Sequence, residues 1–122
     1  MIGYVTLGTN DPARAQRFYD ALLGTVGAKR VMEFGDFVAW ATGPGAPMLA
    51  VTRPYDKKPA SVGNGAMVAL QMSSKAQVDA FYQKALELGA KDEGPAGPRG
   101  DGFYAGYFRD LDGNKLNAFF MG

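Results

Sequence analysis

The side chains able to do chemistry in this chain are carboxylates, phenols, amines and guanidinium groups, because its 122 residues include no histidine and no cysteine. Imidazole and thiolate supply the usual proton shuttles and soft nucleophiles of enzymes, so acid or base catalysis here would fall to Asp, Glu, Tyr or Lys. The same gap removes favoured ligands of zinc and nickel. These patterns assign no catalytic residue, and we expect neither a metal nor another cofactor.

The charge pattern argues against a nucleic-acid partner. Thirteen Lys and Arg against twelve Asp and Glu leave a formal charge of +1, and the basic residues are scattered, whereas nucleic-acid-binding domains cluster them. No stretch approaches about eighteen consecutive apolar residues. No basic segment followed by an apolar run precedes the first predicted strand. We therefore expect a cytoplasmic protein without a membrane span.

An internal repeat organises the chain. Residues 3–7 (GYVTL) align with residues 66–70 (AMVAL), and the same offset brings Phe18-Tyr19 onto Phe81-Tyr82. The repeat predicts one domain over residues 1–122, built from two modules of the same design. The modules span about residues 1–56 and 64–122, with a polar linker at about 54–65.

Each module contains one predicted helix after its first strand. Asp11 can cap the first helix, and Pro12 suits its first position. Ser74 and Gln77 fit a capping box at the start of the second helix. Apolar residues then recur three to four positions apart, which predicts one buried face on each helix. These residues are Ala15, Phe18, Leu22 and Val26 in the first helix and Val78, Phe81, Ala85 and Leu88 in the second.

Short extended segments separated by turn residues follow each helix. The predicted strands are residues 30–34, 37–41 and 48–52 in the first module and 103–109 and 114–121 in the second. A further strand near residues 91–93 should be short, because residues 94–102 are too rich in Gly and Pro to pair for long. The order βαβββ occurs twice, so an α+β fold is expected.

Residues 110–114 (DLDGN) begin like a calcium-binding loop, but the sixth and twelfth positions carry Lys115 and Met121 where such loops need Gly and Glu. We therefore predict a hairpin turn here. Residues 63–65 (GNG) precede a strand and not a helix, so they do not form a phosphate-binding loop.

Three segments resemble, in order and spacing, the vicinal oxygen chelate superfamily, which includes glyoxalase I, bleomycin resistance proteins and extradiol dioxygenases. Residues 7–19 (LGTNDPARAQRFY) resemble its opening, residues 63–69 (GNGAMVA) the start of its second module, and residues 108–116 (FRDLDGNKL) its final hairpin. The resemblance covers essentially the whole chain. It implies tandem βαβββ modules that form a curved mixed sheet around a cleft, with metal ligands on the first and fourth strands of each module.

The resemblance places Tyr4, Met67, Asn117 and, approximately, Ala50 at the positions of these metal ligands. Metal enzymes of the family carry His, Glu or another polar ligand there, whereas this set offers only a phenol, a thioether, an amide and a methyl group. Such a cleft suits an organic molecule, because it combines apolar area with a few orienting hydrogen-bonding groups. The alternative is that these residues are packed core of a vestigial cleft.

Aromatic and basic residues supply further candidate ligand contacts. Alternation along the seventh strand puts Tyr107 on one face and Tyr104 on the other, and one of these faces lines the cleft or a partner subunit. Trp40 is either a stacking platform or a core residue. Arg53 and Arg99 lie at strand edges, where a guanidinium either meets a ligand carboxylate or remains in solvent.

Three functional hypotheses follow. The first is a metal-free protein that sequesters an aromatic metabolite, xenobiotic or antibiotic, as bleomycin resistance proteins do. The second is a glyoxalase-like lyase or isomerase, or a dioxygenase-related enzyme, with altered ligands; a metal-free isomerase or lyase would use Tyr4, Glu33 or Glu93. The third is a dimerisation module with a vestigial cleft. A homodimer is expected under all three, because similar family members pair and the aromatic residues at 103–108 and 119–120 suit an interface.

Overall fold

The computed structural model describes all 122 residues, which form two compact units, Met1–Val62 and Gly63–Gly122. The first contains β1 (Tyr4–Gly8), α1 (Pro12–Gly24), β2 (Lys29–Phe34), β3 (Phe37–Ala41) and β4 (Met48–Thr52). The second contains β5 (Val68–Gln71), α2 (Lys75–Glu87), β6 (Lys91–Pro98), β7 (Phe103–Arg109) and β8 (Lys115–Met121). The predicted α+β fold of tandem βαβββ modules is confirmed.

Each unit is a four-stranded sheet with one helix. The strand orders are β1-β4-β3-β2 and β5-β8-β7-β6. In both sheets the first strand pairs in parallel with the last, and the other pairs are antiparallel. The helix packs on one side, called here the helix face. The side without a helix of the same unit is called the open face. Neither helix is long and apolar enough to cross a membrane.

Both helices begin where capping chemistry predicts. The Asp11 carboxylate accepts a hydrogen bond from the backbone N–H of Arg14 at 3.1 Å, and Pro12 is the first helical residue. The Ser74 hydroxyl accepts from the N–H of Gln77 at 3.0 Å. The Gln77 side chain accepts in turn from the N–H of Ser73 at 2.7 Å. In the standard capping box this side chain accepts from the N–H of the N-cap residue itself, whereas here it accepts from the residue before the cap.

The core of the first unit lies between α1 and its sheet. Trp40 is 1% exposed and contacts Tyr19 of α1, with ring centroids 5.8 Å apart. The indole N–H donates to Asp20 at 2.9 Å, and the Arg30 guanidinium donates to both oxygens of the same carboxylate. The hydrogen bonds from Arg30 and Trp40 hold the pKa of Asp20 below its usual range. The buried indole is thus fully paired inside its own unit.

The core of the second unit requires a glycine on β7. A Cβ at Gly106 would lie 3.0 Å from ring atoms of Tyr82, a buried residue of α2. The Tyr82 hydroxyl donates to Asp92 on β6 at 2.7 Å. Gly106 therefore lets the helix approach the sheet closely enough for this hydrogen bond to form.

Alkaline titration of Tyr82 should weaken the fold. Burial, and then the hydrogen bond to Asp92, raise the pKa of Tyr82 from its ordinary value of 10.0 to about 12. A raised pKa in the folded state means that folding favours the neutral phenol. The associated stability is present below pH 10 and is lost as the pH rises toward 12. Urea titrations between these pH values should show a shallower fall in unfolding free energy for Tyr82→Phe than for the parent chain. An equal dependence of unfolding free energy on pH in the two proteins would contradict the role of Tyr82 titration.

Strand β6 corrects one expectation from the sequence. Pairing was expected to stop near Glu93, but β6 continues to Pro98 opposite β7. The register shifts between Asp92 and Gly94 and again between Gly94 and Gly97. These irregularities accommodate the Gly- and Pro-rich residues without ending the strand, because an edge strand tolerates bulges and missing N–H donors.

Candidate functional site

The register of the second sheet assigns its residues to faces. Phe108 contacts Phe81 of α2, with ring centroids 6.2 Å apart, so Phe108 lies on the helix face. Tyr107, its neighbour in the strand, therefore lies on the open face. Tyr107 pairs with Asn117 of β8, and Asn117 pairs with Ala69 of β5. These three residues lie side by side across the open face.

Asn117 is the most unusual polar residue of this face. It is 1% exposed, and its side-chain oxygen is buried without a hydrogen-bond partner. Buried side-chain acceptors are nearly always paired, and leaving one unpaired costs roughly 1–3 kcal/mol. An N–H or O–H group supplied by a bound molecule would satisfy this oxygen.

Aromatic rings and cations surround Asn117 on the open face. The guanidinium carbon of Arg99 lies 5.5 Å from the ring centroid of Tyr107, and the Lys115 ammonium lies 5.6 Å from the same centroid. Phe103 and Phe119 stack with centroids 5.6 Å apart. The sequence analysis missed Lys115 as a site residue, and it considered Phe103 and Phe119 among the aromatic residues of a dimer interface. The period-two alternation of β7 and β8 is the signal that would have placed them on the faces of Tyr107 and Asn117.

Tyr104 and Trp40 occupy the opposite, helix-covered faces of their sheets. The Tyr104 hydroxyl donates to Asp79 of α2 at 2.6 Å, and this hydrogen bond raises the pKa of Tyr104. Trp40 is held against α1 by its bond to Asp20. The structure therefore does not bring Tyr104 together with Tyr107 and Asn117, and Trp40 takes the core position that the sequence left open as an alternative.

The open face of the first unit is apolar. Tyr4 lies edge-on to Phe37 at 6.3 Å between centroids, and Phe37 stacks on Phe34 at 4.9 Å. Tyr4 and Phe34 are 57% and 63% exposed. Ala50 pairs with Ala39, and both are fully buried beneath the larger side chains. Tyr4 and Ala50 thus share one face, whereas Phe34 was not among the residues that the sequence singled out.

Of the remaining predicted contacts, Arg53 is bonded to residues of its own unit, and Met67 lies outside the strands. Arg53 forms an ion pair with Asp36 at 3.1 Å and donates to the backbone oxygen of Asn10. Met67 precedes β5 and is 42% exposed. Arg53 therefore connects two loops of the first unit.

The two glutamates considered as acids or bases are both ion-paired. Glu33 accepts from Arg30 at 3.0 Å, and Glu93 accepts from Arg109 at 2.9 Å. Each carboxylate neutralises a guanidinium of its own unit. No proton-transfer role follows from this geometry.

The divalent metal used by enzymes of the resembling family does not fit these residues. No group of three or more Asp and Glu side chains is arranged to hold an ion. At the carried-over positions, Tyr4 and Asn117 offer one phenol and one amide oxygen, while Ala50 and Met67 offer no oxygen ligand. We therefore derive no chemical step through a metal.

A groove of about 630 Å³ lies at the edge of the first unit, lined chiefly by residues 41–48. Lys29 is the only charged side chain in its lining. Binding sites normally combine apolar area with several convergent polar groups. The surroundings of Asn117 meet this condition better than the groove does.

Solved structures resemble this chain over its whole length. A glyoxalase/bleomycin resistance protein from Albidiferax ferrireducens T118 is 32% identical, with a TM-score of 0.91 and coverage of 100% of this chain and 99% of that one. Lactoylglutathione lyase from Agrobacterium tumefaciens is 22% identical, with a TM-score of 0.74 and coverage of 98% and 92%. TioX from Micromonospora sp. ML1 is 20% identical, with a TM-score of 0.71 and coverage of 100% and 99%. The last two likenesses show the fold alone.

The comparison with proteins of curated function gave no match. The family model described as Glyoxalase/Bleomycin resistance protein/Dioxygenase superfamily matches residues 1–118. This match covers both βαβββ units and agrees with the resemblance noted in the sequence. The chain therefore belongs to the glyoxalase/bleomycin resistance protein/dioxygenase superfamily.

Proposed function

We propose that this protein binds a small, partly aromatic organic molecule on the open face of its second unit, without a metal ion. The observation that carries the proposal is the buried, unpaired side-chain oxygen of Asn117. Its neighbours supply what a small-molecule site needs, namely the phenol of Tyr107 and the stacked rings of Phe103 and Phe119.

The biological role that fits this chemistry is sequestration of an aromatic metabolite, xenobiotic or antibiotic in the cytoplasm. Sequestration needs affinity and no reacting group. Both candidate glutamates are already ion-paired, and the donor set does not suit a divalent ion. Binding is therefore better supported than a lyase, isomerase or dioxygenase reaction.

A thermal-shift screen tests the proposal. Purified protein is heated with divalent ions, glutathione conjugates, and a panel of aromatic antibiotics and metabolites, both neutral and anionic. A ligand at a hundred times its dissociation constant adds about 2.7 kcal/mol to the unfolding free energy, which raises the midpoint by several degrees. A shift with an organic compound and none with any ion is expected. A shift that requires nickel or zinc, reversed by a chelator, would replace the proposal with the enzyme hypothesis.

A second candidate function is homodimerisation. The exposed apolar residues on the open face of the first unit support it. Met32, Phe34 and Tyr4 lie on this face, and each is more than 40% exposed, at 42%, 63% and 57%. Exposed apolar patches of this kind commonly mark interaction surfaces. Light scattering should give a mass of twice 13.0 kDa. Phe34→Asp should shift the mass toward the monomer, whereas Tyr55→Asp, at a fully exposed loop aromatic, should not. A monomeric parent chain would remove this candidate.

A further inference from the structure

We propose that the molecule bound on the open face of the second unit carries an anionic group, and that Arg99 and Lys115 beside Tyr107 recognise it. The ligand class is an aromatic carboxylate that also bears a hydroxyl or amino group. This inference rests on the function proposed above, because it names the kind of molecule that the same site accepts.

The first argument is that the two cations have no carboxylate partner, while other arginines of the chain do. Arg30 pairs with Asp20, Arg53 pairs with Asp36, and Arg109 pairs with Glu93. Arg99 and Lys115 instead approach the Tyr107 ring at 5.5 and 5.6 Å. Their charge is therefore uncompensated next to the unpaired oxygen of Asn117.

The second argument is that the backbone holds Arg99 in place. Its two terminal nitrogens donate to the carbonyl oxygens of Pro95 and Pro98. A Cβ at Gly94 or Gly97 would lie 3.4 Å from these nitrogens, which is an ordinary contact distance, so the guanidinium packs against the glycines of β6. A guanidinium fixed in this way loses little conformational entropy when it binds a carboxylate, and its other N–H groups remain available as donors.

The third argument comes from Lys115 and its neighbours across the sheet. Lys115 pairs with Arg109, and Arg109 pairs with Lys91, so three cations stand in one row on β8, β7 and β6. Glu93 forms an ion pair with Arg109, the middle cation of this row. Like charges directly opposite each other on neighbouring strands are destabilising. A bound anion would relieve this repulsion.

The spacing along β8 defines the shape of the ligand. Every second side chain of β8 lies on the same face, and successive ones are about 7 Å apart. On the open face these are Lys115, Asn117 and Phe119. An anionic group at Lys115 and Arg99 would place a ring substituent with an O–H or N–H over the Asn117 oxygen. The ring itself would lie between these two groups, beside Tyr107, which pairs with Asn117. 4-Hydroxybenzoate separates its carboxylate and hydroxyl groups by a comparable distance.

Calorimetric titration with matched probes tests the inference. The probes are 4-hydroxybenzoate and 4-hydroxybenzamide, which share the ring and hydroxyl but differ in charge, together with any compound found in the screen. The carboxylate should bind about tenfold or more tightly than the amide, and higher salt should weaken only the carboxylate. Arg99→Gln and Lys115→Gln should each weaken carboxylate binding by about five- to tenfold and leave amide binding unchanged. Lys58→Gln, at an exposed loop lysine of the first unit, is the control that should change nothing.

The outcomes separate the inference from the proposed function. Equal binding of the amide and the carboxylate, or unchanged carboxylate binding in both Gln variants, would overturn the inference while small-molecule binding stands. The inference would also be overturned if the screen found a neutral ligand whose affinity neither substitution changes. An anionic ligand that depends on both residues would support the inference even if 4-hydroxybenzoate itself fails to bind. If no organic compound binds, the proposed function fails and the inference fails with it.

Discussion

Replacing Asn117 with leucine should weaken ligand binding by roughly thirtyfold, a loss of about 2 kcal/mol, while the fold becomes slightly more stable. The loss of affinity follows because leucine cannot accept a hydrogen bond from the ligand. The gain in stability follows because Asn117 is 1% exposed with an unpaired oxygen, and leucine has the same γ-branched shape without that oxygen. We expect about 1 kcal/mol of added unfolding free energy, measured by urea titration, with affinity measured by calorimetry on a compound from the screen.

Opposite changes in stability and affinity distinguish a binding residue from a structural one. Asn64→Leu, in the exposed turn before β5 of the second unit, is the matched control and should alter neither quantity appreciably. If Asn117→Leu lowers stability and leaves affinity intact, Asn117 is a structural residue of the sheet, and the site must be sought elsewhere on the chain.

Replacing Asp110 with alanine should lower the unfolding free energy by about 3 kcal/mol, which corresponds to a fall of roughly 10 °C or more in the midpoint. Asp110 is only 6% exposed and organises the turn between β7 and β8. One of its oxygens accepts from the backbone N–H groups of Asp112 and Asn114, both at 2.9 Å. The other accepts from the Asn114 side chain at 3.0 Å. Alanine would leave these donors without a charged acceptor, next to the two central strands of the sheet.

Asp56→Ala provides the matched control for this effect. Asp56 accepts one backbone hydrogen bond, from Lys58 at 3.0 Å, in an exposed loop. The same substitution there should cost less than about 1 kcal/mol. Thermal and urea unfolding of both variants, compared with the parent chain, provide the measurement. Equal effects at the two sites would show that the buried turn does not depend on its carboxylate.

Much of the local structure was predictable because it depends on residues close in the chain. The caps at Asp11 and Ser74 involve partners three residues away, so their side chains and spacing are visible in the sequence. Strands β3, β4 and β7 occupy the predicted residues because β-branched and aromatic runs are bounded there by turn residues. Val26 was placed on the first helix, yet α1 ends at Gly24, because helix ends depend on weaker local preferences.

The extent of β6 was not predictable by the same reasoning. Gly94 and Pro95 disfavour a strand locally, but pairing with β7 continues past them through two register shifts. Pairing with β7 overrides the local preference because the register shifts depend on the partner strand as well as on the residues of β6. Strand propensity depends strongly on such context.

The sequence by itself determined which side chains stand at the positions that the resemblance assigns to metal ligands, since residue type at Tyr4, Met67 and Asn117 does not depend on packing. Only the tertiary structure decided which aromatic face of β7 is open, because that depends on the side on which α2 docks. It also decided that the Asn117 oxygen is buried and unpaired beside Tyr107. Burial and hydrogen bonding depend on neighbours that separate strands bring together, and no periodicity within one strand records them.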